Sequence, residues 1–222
     1  MLLFSFCWID VVSQSSLADQ ISEAKTISED RVEQVEALKT LLEATSFKSH
    51  PDTLGLVYYA LAFRYKALYE DSLAITSGEA ALELFDASGF DGYQLPFLYS
   101  WIGESYYYLG NFEKAISNCQ KIINEVPEGR AKEIYGFAYL ILARVFNDSE
   151  DYDMSRRITG QFLNSNYRQQ VPLLHEIAVL LSSSIAHSSF EDEASIQTAK
   201  DNIKDAQELY TANELDLSLI HI

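Results

Sequence analysis

Three small residues, Ala62, Gly103 and Ala143, recur at steps of 41 and 40 (103 − 62 and 143 − 103), and each is followed three positions on by a large aromatic, Tyr65, Tyr106 or Phe146. Further along each segment another small residue returns, as Ala74, Ala115 and Ser155. Residues three apart on a helix share a face. A small side chain there lets two backbones approach, and its large neighbour fills the space beside it. Repetition at this length is the mark of a chain built from one supersecondary unit copied several times. Each unit reads as a helical hairpin whose apolar stripes are too wide for two helices to satisfy alone, so neighbouring hairpins must stack to bury the remainder. At ~25 cal/mol per Å², each large side chain so buried contributes roughly 1.5–3 kcal/mol. Four prolines and nine glycines leave little punctuation. It falls where hairpins should end, at His50-Pro51-Asp52 and Val126-Pro127-Glu128-Gly129, with Asn147-Asp-Ser-Glu-Asp151 between paired helices.

The segment Tyr99-Ser-Trp-Ile-Gly103-Glu-Ser-Tyr106-Tyr-Tyr-Leu-Gly110-Asn-Phe112-Glu-Lys-Ala115, continuing through Cys119 and Ile122 to Pro127, resembles the tetratricopeptide repeat. Tyr99, Ile102-Gly103 and Tyr106 stand at the signature positions of its first helix. Gly110, Phe112 and Ala115 mark the turn and second helix, and Pro127 closes the unit. Cys119 replaces an aromatic, and Ile122 the usual Ala. Tyr58, Leu61-Ala62, Tyr65, Ala74 and Ala81 keep the spacing upstream. Tyr139, Leu142-Ala143, Phe146 and Tyr152 keep it downstream, with Ser155 and Phe162 where Ala is usual. The family period is about 34, so these units carry an extra turn or a longer linker such as Gly89 to Pro96. The resemblance is strong over residues 55–167 and weak outside them. It implies an all-α, right-handed α-solenoid of antiparallel helical hairpins, about four to five repeats, spanning residues 17–216 with hairpins near 17–46, 51–88, 96–127, 131–167 and 172–212.

In this family the first helices line a concave groove that takes peptides or partner helices. By the register above, that face should include Tyr59, Phe63 and Lys66, then Ser100, Glu104, Tyr107 and Tyr108, then Leu140, Arg144 and Asn147. Aromatic residues with one or two cations suit an apolar peptide, because aromatics cover a large area at small entropic loss. The same aromatics could equally pack gaps between units. Family members that clamp a peptide's terminal carboxylate do so with Lys and Asn. Tyr59, Phe63, Ser100 and Glu104 occupy those places here, and Glu104 would repel the carboxylate.

The two ends read differently. Met1–Ile9 is an apolar run followed by Asp10 and a polar Ser13–Ser16, resembling a secretory signal without its basic start; a short apolar helix capping the array is the alternative for residues 1–16. It is too short to cross a bilayer. Export to a periplasm is favoured slightly over the cytoplasm. Leu217-Ser-Leu-Ile-His-Ile222 resembles the translation of a transposon-end sequencing adapter, and the residues before it read as a helix in progress. The expectation is therefore that the natural chain continues, the alternative being an apolar natural C-terminus.

With 33 acidic and 16 basic residues the chain carries −17, which repels phosphate backbones and anionic lipid and disfavours nucleic-acid or membrane-surface binding. No phosphate-cradling, dinucleotide, zinc-protease or serine-hydrolase motif occurs. His50, His175, His187 and His221 lack metal spacing, and Cys119 lies on an apolar helix face and reads as an inert buried thiol. Asp148–Asp153 is acidic enough to suggest a calcium loop. Tyr152 and Asp153 break that pattern and Thr159 stands where the bidentate Glu belongs, which leaves a solvated turn capping the next helix. The expected function is a non-catalytic scaffold for a protein or peptide, with no cofactor and no metal. The alternative, by family analogy, is the N-terminal sensory part of a longer bacterial signalling protein such as a histidine kinase, diguanylate cyclase or transcription regulator.

Overall fold

A computed structural model describes residues 17–26, 30–43, 50–126, 132–166, 168, 173–190 and 192–212. The leader-like residues 1–16, the linker Pro127-Glu-Gly129 and the adapter-like residues 217–222 lie outside the described residues. Among those described, the chain is all-α and contains no strand. Its helices are α1 (Leu17–Thr26), α2 (Arg31–Glu43), α3 (Pro51–Ala67), α4 (Asp71–Ser88), α5 (Gln94–Tyr108), α6 (Phe112–Glu125), α7 (Lys132–Asp148), α8 (Tyr152–Leu163), α9 (Leu173–Ser188) and α10 (Glu193–Ala212). α5 begins at Gln94, so Pro96, read from sequence as part of a linker, falls inside the first turn of that helix. Proline is tolerated there because the first backbone N–H groups of a helix have no intrahelical acceptor to lose.

The three connections that lead directly into the next helix share one backbone conformation, which Gly89 at the end of α4 also adopts. Tyr69, Gly110 and Glu150, spaced 41 and 40 residues apart (110 − 69 and 150 − 110), each have positive φ, of 61°, 73° and 59°. The residue after each donates its N–H to the carbonyl five positions back: Glu70 to Tyr65 at 2.9 Å, Asn111 to Tyr106 at 2.8 Å, and Asp151 to Phe146 at 2.8 Å. The left-handed residue itself donates to Lys66, Tyr107 or Asn147. This is the Schellman arrangement, which satisfies the last carbonyls of one helix while turning the chain into the next. The following residue then starts the second helix. Asn111 and Asp151 cap it through their side chains, accepting from Lys114 N and Met154 N. Asp151 thus serves as the helix cap expected of the acidic turn. The aromatic positions of the repeat, Tyr65, Tyr106 and Phe146, are the residues whose carbonyls close the three turns.

The chain divides into two compact units, Met1–Trp101 and Ile102–Ile222, the division falling within α5. In the first, α2 packs on α1 and α3, α1 also touches α3, and α3 packs on α4. Its core gathers Ile21, Val35, Leu38, Val57, Leu61, Tyr65 and Ala74. Ala62 is completely buried. α3 approaches α4 closely at Gly55, where a Cβ would lie 2.6 Å from Cε1 of the buried Phe85.

In the second unit, α6 packs on α7, α7 on α8 and α9, α8 on α9, and α9 on α10. Gly103 sits against α6, where a Cβ would meet Cys119 Sγ at 3.3 Å and the Ala115 carbonyl at 3.5 Å. At the matching place on α7 and α8, Ser155 Oγ donates to the Ala143 carbonyl at 3.4 Å. The two crossings therefore use the same pair of positions. Tyr139, Leu140, Phe162, Ala178 and Val179 form one core cluster. Along α9 the consecutive Ser182, Ser183 and Ser184 are all buried. Their small size permits close packing, and Ser183 Oγ accepts from Asn202 of α10 at 3.0 Å.

Candidate functional site

Because each helix is held by its neighbours along one stripe, the residues left on the opposite stripe decide what the surface can do. In the first unit these are aromatic. Tyr59 and Phe63, one turn apart on α3, lie 5.1 and 5.2 Å from the ring of Trp101 in tilted contacts, and Phe97 adds a third at 6.0 Å. Phe63 is nevertheless 42% exposed, and the Arg64 guanidinium lies 4.9 Å from its ring centre. Burial pushes the Tyr59 phenol up to about 12, so it stays a neutral hydrogen-bonding group at any ordinary pH. Lys66 binds Asp71 at 2.9 Å, both side chains largely covered. It therefore helps lock the turn between α3 and α4.

In the second unit the surface is aromatic and acidic. The Tyr107 hydroxyl donates to Asp148 Oδ2 at 2.8 Å, joining α5 to α7. Its ring contacts those of Tyr108 and Phe112 at 5.3 and 6.1 Å. Burial first, and then the bond to the Asp148 carboxylate, push the Tyr107 phenol up to about 12; the charge of Arg144 works against this. Tyr108 and Leu109 are about half exposed. Asn147 donates through Nδ2 to the Ser182 carbonyl at 3.2 Å, tying α7 to α9. Its Oδ1 is shut off from solvent without a hydrogen-bond partner.

Two of the ten residues assigned to the groove from sequence offer no surface. Ser100 is 1% exposed and donates to the Phe97 carbonyl, and Leu140 is 5% exposed within its core cluster. Stepping by whole repeats from Tyr59 leads to Ser100, but α5 presents its surface one position later. Trp101, which the sequence reading missed, is the residue that meets Tyr59. The stripe Phe97, Trp101, Glu104, Tyr108, at steps of four, three and four, would have pointed to it. Tyr59 and Phe63 are brought together on Trp101 in the first unit, where Lys66 instead pairs with Asp71; Glu104, Tyr107, Tyr108, Arg144 and Asn147 lie in the second.

Cys119 is fully buried, and burial together with the Glu104 charge raises its thiol well above the ordinary range. A thiol so placed is a poor nucleophile. His187 has the opposite tendency, held below its ordinary value by burial and then by Arg156, with Asp192 partly offsetting. Among the described residues there is no group of three or more His, Cys, Asp or Glu side chains able to hold a metal ion. Nor is any helix among them long and apolar enough to cross a membrane. No protein-family model, curated protein or solved structure matches this chain.

Proposed function

We propose that the chain is a non-catalytic scaffold of the tetratricopeptide type, a right-handed solenoid of four to five hairpins that binds a peptide or partner protein on the face of its first helices. The thrice-repeated turn, the shared crossing positions and the contacts of α1 with α3 and of α7 with α9 support the repeat. In stacked hairpins the first helices of successive units touch in this way. The observation that carries the binding reading is the Tyr59–Phe63–Phe97–Trp101 cluster, in which aromatic rings packed against one another still leave Phe63 open to solvent. Rigid aromatic surface of this kind is the usual anchor for a bound polypeptide.

The chain has two tryptophans, Trp8 and Trp101, so a Trp8→Phe variant isolates the emission of Trp101. Peptides selected from a random display library against the full chain should shift that emission. Phe63→Ala should weaken their binding by tenfold or more. Selection that returns no peptide, or peptides indifferent to Phe63→Ala and Tyr59→Phe, would overturn the reading.

A further inference from the structure

In the second unit, exposed apolar surface lies beside the carboxylate of Asp148. Tyr108 and Leu109 are 49% and 53% exposed. Tyr107 beside them holds Asp148 at 2.8 Å, which fixes a negative charge next to the rings. Asp148, Glu150, Asp151 and Asp153 are all exposed around the following turn. The Arg144 charge acts on Tyr107 from the same side, and Arg156 is drawn to Asp153 at 2.6 Å. The whole chain bears −17, so the long-range field has the same sign as the patch. A Lys or Arg side chain can lay its methylenes on an apolar surface, meet an aromatic face with its charge, and end on a carboxylate. An acidic segment would meet repulsion, and a purely apolar one would gain nothing from the negative field.

We infer that the Tyr107–Tyr108–Leu109 surface receives a polypeptide segment in which Lys or Arg alternates with apolar residues. This rests on the scaffold reading above and names the chemistry of its partner in the second unit. Charge complementarity selects that occupant; the apolar residues set where it seats. The field speeds encounter, and the Tyr108 and Asp148 contacts hold the segment once it arrives.

The test uses the full chain and three fluorescein-labelled peptides that share one apolar pattern and differ in the alternating residue: Lys and Arg, Ser, or Glu. Fluorescence anisotropy should show binding of the Lys/Arg peptide alone, falling tenfold or more between 50 and 300 mM salt. Tyr108→Ala and Asp148→Asn should each weaken it at least fivefold. Asp205→Asn, which removes an exposed charge on α10, should leave it within twofold. Equal loss in Asp205→Asn and Asp148→Asn would show diffuse attraction and overturn the inference, as would equal binding of the Ser peptide. If no basic peptide binds while library-selected peptides still shift Trp101, the inference fails and the scaffold reading stands. If the basic peptide binds as described while display selection yields nothing at Trp101, the aromatic anchor in the first unit is the part that fails.

Discussion

Gly103 faces Cys119 across the crossing of α5 and α6, with room for a Cβ only at 3.3 Å from the sulfur. That distance is tight but workable, because the added methyl also improves helix propensity by up to about 1 kcal/mol. Gly103→Ala should therefore be near neutral, whereas Gly103→Leu must displace α6 and should lose about 1–3 kcal/mol. Gly55 has less latitude. A Cβ there would stand 2.6 Å from the ring of Phe85, a fully buried side chain with nowhere to go. Gly55→Ala should lower stability by about 1–3 kcal/mol despite the better propensity, and urea melts of the three variants would rank them. A Gly55→Ala protein as stable as the parent would contradict the α3–α4 packing.

The shared turn makes an exchange prediction. Tyr69 and Glu150 adopt the left-handed conformation that Gly110 adopts without steric penalty. Glu150→Gly and Tyr69→Gly should each stabilise the chain by about 0.5–1 kcal/mol, and Gly110→Ala should destabilise it by a similar amount. Tyr69 is 76% exposed, so little packing is lost with it. Opposite signs at the equivalent positions, read by thermal or chemical melts, are the signature; a common sign would remove the case for one turn used three times.

Cys119 gives a direct measure of core integrity. In a Cys7→Ser background its buried, protonated thiol should react with Ellman's reagent on the order of a hundredfold more slowly in the native chain than in urea. Rapid native labelling would place the α5–α6 interface in solvent.

His187 sets a dependence on pH. Its folded value lies below the unfolded reference of 6.5, chiefly through burial and secondly through Arg156 on α8, with the Asp192 carboxylate working against both. The unfolded chain therefore takes up the proton first. The contribution from keeping His187 neutral is intact above pH 6.5 and is lost as the pH falls below it. Melting temperatures between pH 7.5 and 5.5 should fall further for the parent than for His187→Gln. A variant with the same slope would show that other groups govern the acid limb.

How much of this was legible beforehand depends on what each position had to satisfy. Ala62, Gly103 and Ala143 were readable because a helix crossing restricts size whatever surrounds it. Tyr65, Tyr106 and Phe146 were readable because their spacing from those residues is fixed by the helix. Ser100 and Leu140 were misplaced because exposure is set by what packs on a helix, and a shift of one residue turns a side chain by about 100°. Trp101 was hidden by the same shift. The clash at Gly55 depends on a partner 30 residues away, Phe85, which no local pattern couples to it. The buried serines of α9 look like surface residues until their neighbours are known. Trp101 thus lay in plain view as a residue while its contact with Tyr59 did not.

The identical hinges at Tyr69, Gly110 and Glu150 bear on how such a gene can change length. Cutting after any one of them and rejoining after another restores a left-handed φ and the same pair of backbone capping hydrogen bonds. A cassette bounded by these junctions can therefore be duplicated or deleted without inventing a new connection, and recombination has seams here at which the backbone registers no difference.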